Sequence, residues 1–234
     1  MTSPALNSDQ SGVEPAPSTD LARAFVDFLS SADFPCVGAK SALALDKLII
    51  REARALDDAR DDLEIRDWIE SFGEGLDPDS ADVGSLAILF HAPQDLSEPD
   101  FEKAMWDRLQ CLHNLDVAAG IAWREDVDRD PEDAHFSMCI AGRPYFVVGL
   151  HPFASRPARR FSHPVLVFNS HDQFEALRAQ GRFEIMKNVI RARERALAGS
   201  INPMLDDFGR SSEARQYSGR RHGADWRCPF EAKD

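Results

Sequence analysis

The stretch FSMCIAGRPYFVVGL, residues 136–150, decides the fold. Two apolar runs rich in aromatic and β-branched residues, 136–140 and 145–150, flank a four-residue connection that contains glycine and proline. That pattern predicts a β-hairpin. Working outward, residues 165–168 form another short apolar run ahead of Ser170 and Gln173, a capping pair that opens a helix. Residues 85–91, rich in Leu, Ile and Phe and closed by Pro93, have the length of a buried strand. Helical spacing flanks these strands on both sides. Leu21, Phe25, Phe28 and Leu29 follow a Ser18-Thr19-Asp20 cap. Leu45, Leu48, Ile49, Leu56, Trp68 and Ile69 predict further helical segments from about residue 41. Met105, Leu109 and Leu112 mark a helix capped by Ser97, and Phe183, Met186, Val189 and Ile190 one that ends at Gly199. Strands clustered between helical regions give an α+β class: a largely antiparallel central sheet packed against helices in a single domain spanning residues 19–234, behind a Ser/Pro/Ala-biased tail, residues 1–18, expected to be disordered.

Composition narrows the classes of function. No stretch approaches the roughly 20 apolar residues of a membrane span, and the opening residues lack a basic start followed by an apolar run. Four widely spaced cysteines fit a reducing compartment better than a disulfide framework or a zinc site, so a cytoplasmic location is expected. The net charge of −13 hides a division: residues 1–140 carry −19 and residues 141–234 carry +6, the later cations being mostly arginine. Arginine grips carboxylates and phosphates, so an anionic ligand group is expected in the second half. Overall acidity opposes a nucleic-acid surface, and no glycine-rich phosphate loop or dinucleotide fingerprint follows any strand.

The richest chemistry lies in LHPFASRPARR, residues 150–160. Pro152 stops the strand directly after His151, which fixes the ring direction as a metal ligand requires, and Arg156, Arg159 and Arg160 follow within nine residues. A strand-end histidine and an arginine cluster paired to the acidic half is the plainer reading of the same residues. His171 falls in the first turn of a helix, where the dipole keeps imidazole neutral. That suits a ligand or a base, and equally an ordinary helix-start residue. His163 is adjacent to Pro164 and could join His171 at a non-heme metal, without a recognisable carboxylate partner. Cys36 follows Phe34-Pro35 at a turn, where a helix start or Lys40 would make the thiol reactive. Cys228, in WRCPF, is a second thiolate candidate. Each cysteine is also readable as a packed residue. Glu213 is a candidate anchor for a guanidinium, with a salt bridge to Arg215 or Arg220 as the alternative. Trp226 and Phe230, or Met204, Leu205 and Phe208, offer apolar shelter for a cofactor.

The segments FPCVGAKSA, LHPFASRPARRF, VFNSHDQFEALRAQGRFE, IRARERALAGSINPMLDDFG, SSEARQYSGR and WRCPF, spread over residues 34–230, together resemble the YqcI/YcgG family. The wording is most similar to the heme-dependent guanidine N-hydroxylases of the guanitoxin pathway. The resemblance implies a monooxygenase that uses heme (iron protoporphyrin), dioxygen and an external electron donor, a reductase or ferredoxin, to hydroxylate a guanidine nitrogen of arginine or an arginine-derived molecule. It implies His151 as axial ligand with Arg156, Arg159 and Arg160 at the propionates, His171 and Cys228 as rival ligands, and Glu213 beside the substrate. Neither nucleic acid nor membrane is implied as a partner, and a homodimer is compatible with these features. A heme-binding or heme-sensing protein without turnover is the main alternative. A hydrolase using His163, His171 and a thiol ranks last, for want of a nucleophile motif.

Overall fold

The computed structural model describes residues 19–233 except 81, 205, 207 and 208. The proposed N-terminal tail, and Leu205 and Phe208 of the proposed shelter, lie outside the described residues. Helix α1 (Asp20–Ser30) is capped by Thr19, whose hydroxyl accepts from the Ala22 N–H, and α2 (Val37–Ala44) follows a short turn. Then come β1 (Leu48–Ala55), α3 (Asp62–Glu74), β2 (Ser85–Ala92) and the long α4 (Glu98–Ala118), capped by Ser97. The hairpin of β3 (Met138–Ile140) and β4 (Arg143–Leu150) is followed by β5 (Val165–Ser170), α5 (His171–Ala179), α6 (Arg182–Ala198) and the short α7 (Ala214–Tyr217).

The five strands form one sheet in the order β1-β2-β5-β4-β3. Every neighbouring pair is antiparallel except β1 with β2. The predicted hairpin forms, with a connection of two residues instead of four: Ala141 and Gly142 both take positive φ, 52° and 68°, the left-handed pair of a tight turn, and Arg143 and Pro144 already belong to β4. The capping reading at Ser170 also holds, its hydroxyl accepting from the Gln173 N–H. One expectation fails. Leu48 and Ile49 belong to a strand, not a helix. Leu45, Leu48 and Ile49 match helical spacing over a single turn, but the Leu-Ile-Ile run gains a full parallel ladder along β2, and tertiary pairing overrides the short pattern. The helical reading survives in α3, which carries Trp68 and Ile69.

Successive residues of a strand face opposite sides, so each strand serves two layers. Leu86, Ile88, Phe90, Tyr145, Val147, Leu166 and Phe168 point toward α3 and α4, where they join Ile65, Ile69, Phe101, Met105, Trp106 and Leu109 in the larger core. Ala87, Leu89, Leu150 and Val165 point the other way and meet Leu21, Phe25, Leu29 and Phe34 of the α1 region. Among the described residues no helix is long and apolar enough to cross a membrane.

Because β3 pairs only with residues 143–145 of β4, the outer edge of β4 beyond Tyr145 has no strand beside it. The α7 segment fills that place. The Tyr217 hydroxyl donates to the Tyr145 carbonyl and accepts from the Met138 N–H, and the Arg159 guanidinium bridges the Gly149, Gln216 and Tyr217 carbonyls at 3.2, 2.8 and 2.6 Å. Gly219 makes this approach feasible: its φ is +78°, and a Cβ there would lie 2.5 Å from Arg159 Cδ.

Candidate functional site

The sheet face turned toward α1, α2 and α6 is incompletely filled. On β4, Tyr145, Val147 and Gly149 are buried, whereas Phe146 and Val148 between them are only half-buried although β5 pairs on one side and α7 covers the other. Val167 and Asn169 of β5 show the same partial exposure. All four line a cavity of about 310 Å³, in the size range of small-molecule sites. Its apolar walls come from the sheet (Phe146, Val148, Val167), from α1 and the following turn (Phe25, Leu29, Phe34) and from the α5–α6 hairpin (Phe174, Phe183, Met186, Ile190).

Polar groups enter at a few places. Glu213, at the start of α7, is 6% exposed, and its Oε2 has no hydrogen-bond partner among the described residues. Burial pushes its carboxyl up to about 8, with Arg178 opposing weakly. Cys36 lies at the N-terminus of α2, its sulfur accepting from the Ala39 N–H at 3.4 Å. Burial raises this thiol, while the Ala39 and Gly38 N–H groups and the charge of Arg159 act to lower it. Arg159 lines the wall with its N–H groups committed to the three carbonyls that hold α7, and burial lowers its guanidinium to about 10. Arg156 also lines the wall, held by Glu194 at 2.6 Å and by the Ser200 carbonyl at 2.6 Å. Lys187 and Arg191 of α6 add positive charge to the lining.

Of the candidate residues singled out in the sequence, Glu213, Arg156, Arg159 and Cys36 therefore line one cavity, and His151, His163, His171, Arg160 and Cys228 do not. His151 lies on the opposite side of the sheet, 1% exposed, its ring stacked on Phe101 at 4.3 Å between centroids. Both its ring nitrogens lack a partner among the described residues, and burial lowers it to about 4. The period-two alternation explains the separation: His151 continues the row of Tyr145, Val147 and Gly149 that faces α4. Arg160 turns outward and donates to the Ala154 carbonyl at 3.0 Å. Cys228 packs against the larger core, its thiol raised by burial to about 12. His171 is buried at the start of α5, with Nε2 3.9 Å from Glu175 Oε1, and burial lowers its pKa. The expected clamp of His151 with Arg156, Arg159 and Arg160 is thus not assembled. Glu213 does not pair with Arg215 or Arg220 either: Arg220 instead reaches Glu102 at 2.8 Å, and Arg215 donates to the Trp226 carbonyl. Trp226 likewise sits away from the cavity, against His222.

What the sequence reading missed is the far wall. The residues of α6 that line the cavity looked like an ordinary core stripe, and Cys36 carried no signal tying it to segments more than a hundred residues later. No group of three or more His, Cys, Asp or Glu side chains that would hold a bare metal ion occurs among the described residues.

Comparison with known proteins follows the same span. The profile of the YqcI/YcgG family matches residues 25–231. A Bacillus subtilis (strain 168) protein described as uncharacterized protein YcgG is 29% identical over 207 residues, covering 84% of this chain and 80% of its own. The uncharacterized protein YqcI of the same strain is 28% identical over 196 residues, 79% of this chain and 74% of its own. No solved structure matches the chain at a significant level.

Proposed function

Since the chain belongs to the YqcI/YcgG family, we propose that it is a heme-dependent N-oxygenase acting on the guanidine group of arginine or an arginine-derived small molecule, as the resemblance to guanitoxin-pathway N-hydroxylases suggests. The observation that carries this reading is Glu213: it lines an apolar cavity, and its Oε2 has no hydrogen-bond partner among the described residues. Unpaired buried carboxyls are costly and are retained where a ligand completes them. A guanidinium matches the two carboxylate oxygens with two parallel N–H groups and supplies the charge that Glu213 lacks.

The cavity also suits an iron porphyrin in kind. Phe25, Leu29, Phe34, Val148, Val167 and Ile190 offer apolar contact, and Lys187, paired with Glu184 at 2.6 Å, and Arg191 add positive charge to the lining. Arg156 and Arg159 contribute positive charge to the wall while their N–H groups hold the protein together. When bound, heme supplies the activation of dioxygen: one oxygen atom enters the new N–O bond, the other leaves as water, and two electrons and two protons enter from outside through a reductase or ferredoxin. The chain's part is to fix the guanidine against Glu213, to orient it and to exclude water with the apolar walls.

The test is spectroscopic and chemical. Protein produced with ample heme should show an intense Soret band that moves when arginine is added, and with a reductant and dioxygen it should yield an N-hydroxylated guanidine. Glu213→Gln should keep the Soret band and lose the arginine response. Absence of any Soret band after full reconstitution would sink the reading. A Soret band indifferent to guanidine compounds would replace the oxygenase with a heme carrier or sensor.

A further inference from the structure

Among the described residues, which include all four cysteines and all seven histidines, Cys36 alone of those two residue types lines the cavity. We infer that Cys36, rather than a histidine, is the axial ligand of the iron, so that the protein is a heme-thiolate enzyme. The inference rests on the cavity being the heme site, as proposed above.

Four observations converge. Firstly, position: Pro35 and the first turn of α2 fix Cys36, and Cys36 lines the cavity. Secondly, electrostatics: burial raises the free thiol, but the sulfur already accepts the Ala39 N–H, sits at the positive end of α2 and feels the Arg159 charge, which favour the anion once iron supplies a further positive charge. Thirdly, space: a Cβ added at Gly38 would stand 3.8 Å from the Cys36 sulfur and 3.3 Å from the Met186 sulfur, so glycine keeps the surface beside the thiol clear. Fourthly, and independently, Glu213, whose buried Oε2 has no hydrogen-bond partner among the described residues, lines the same cavity, so a ligand seated on Cys36 shares its chamber with the group that would hold the substrate.

The rivals are placed less well. His151 and Cys228 pack into the opposite layer, and bringing either to the cavity means crossing the sheet. Met186 does line the cavity, but its thioether is neutral and leaves the iron charge uncompensated. Binding is a ligand exchange without redox change. The Cys36 thiol releases its proton to solvent, its sulfur donates an electron pair to ferric iron, and a water leaves the iron.

The experiment compares the wild type with Cys36→Ser, Cys36→His, Cys228→Ala, His151→Ala and Met186→Leu, each reconstituted with hemin and checked for folding by far-ultraviolet circular dichroism. Thiolate ligation gives the reduced carbonyl complex a strongly red-shifted Soret band and the ferric protein a distinctive low-spin paramagnetic resonance spectrum. Both signatures are expected in the wild type and in the Cys228, His151 and Met186 variants. Cys36→Ser should lose them, and Cys36→His should give an imidazole-type carbonyl spectrum. An imidazole-type spectrum in the wild type, or a thiolate signature surviving Cys36→Ser, overturns the inference while leaving the heme reading intact. A wild type that takes up no heme overturns both. Should the Cys36 variants fail to fold, the wild-type spectrum read with Cys111→Ala, Cys139→Ala and Cys228→Ala still decides: thiolate signatures unaffected by all three support Cys36, and imidazole signatures, or loss in any of the three, refute it.

Discussion

The two faces of the sheet are built from the same strands yet treated in opposite ways. Toward α3 and α4 the side chains are large and fully buried, Ile88, Phe90, Phe101, Trp106 and Leu166 among them. Toward α1, α2 and α6 the strands β4 and β5 present half-buried Phe146, Val148 and Val167, and a chamber remains. Ionisable groups divide along the same line. The solid layer holds a histidine kept neutral, and the hollow layer a carboxyl kept neutral. The larger close-packed core lies in one layer, and the other holds a cavity and a carboxyl oxygen with no hydrogen-bond partner among the described residues.

The sharpest way to break this contrast is truncation in the solid layer. Phe101→Ala removes a fully buried ring that supports both Gly149 and His151, and should cost about 4 kcal/mol in chemical denaturation. A cost near zero would mean that the layer is not close-packed.

Next in size is the acid. Glu213 is raised from 4.5 to about 8 in the folded protein, so the native state retains a proton that the unfolded chain has lost. Its contribution is complete below pH 4.5 and fades as pH rises toward 8. Glu213→Gln should therefore stabilise the ligand-free fold at pH 7 by about 3 kcal/mol and leave it unchanged at pH 4. Guanidinium binding should run the other way, strengthening as pH rises to about 8 in the wild type and staying weak and flat in the variant.

His151 supplies the mirror image. Its pKa falls from 6.5 to about 4 on folding, so the unfolded chain takes up the extra proton and stability is lost as pH falls between those values. Denaturation midpoints of the wild type and His151→Phe should diverge by about 2 kcal/mol between pH 7 and pH 5, the variant being the less acid-sensitive. Equal acid sensitivity would show that His151 finds a proton acceptor.

The smallest effect is expected from Val148→Ala. With one side already open to the chamber, this side chain loses few contacts, and the change should cost less than about 1 kcal/mol in stability while enlarging the site. A large loss would mean that the chamber is closed in solution.

Much of the fold was legible because its signals are local. The apolar runs around Ala141-Gly142 announce a hairpin, and Ser97, Thr19 and Ser170 announce helix starts. The helical reading of Leu48 and Ile49 failed because its warrant was one turn long, whereas the parallel ladder with β2 that decides the matter depends on residues 85–92. The candidate site divided similarly. Glu213, Arg156 and Arg159 were recognisable as charged residues in need of a role. That His151 parts company with them follows from alternation along β4, which is visible only once both faces are known to be covered. The membership of Cys36 depends on α2 meeting α6, a contact that no spacing in the chain encodes.

The seal along the outer rim of β4 carries a further consequence. Where β3 ends, unpaired strand backbone would lie bare, and such a rim invites another copy of the chain to zip alongside it. The cover is a single turn of helix fastened by Tyr217 and Arg159, and Glu213 forms its leading end. Protection of the strand rim and placement of Glu213 are therefore carried by the same turn of chain, so a change that displaces one displaces the other.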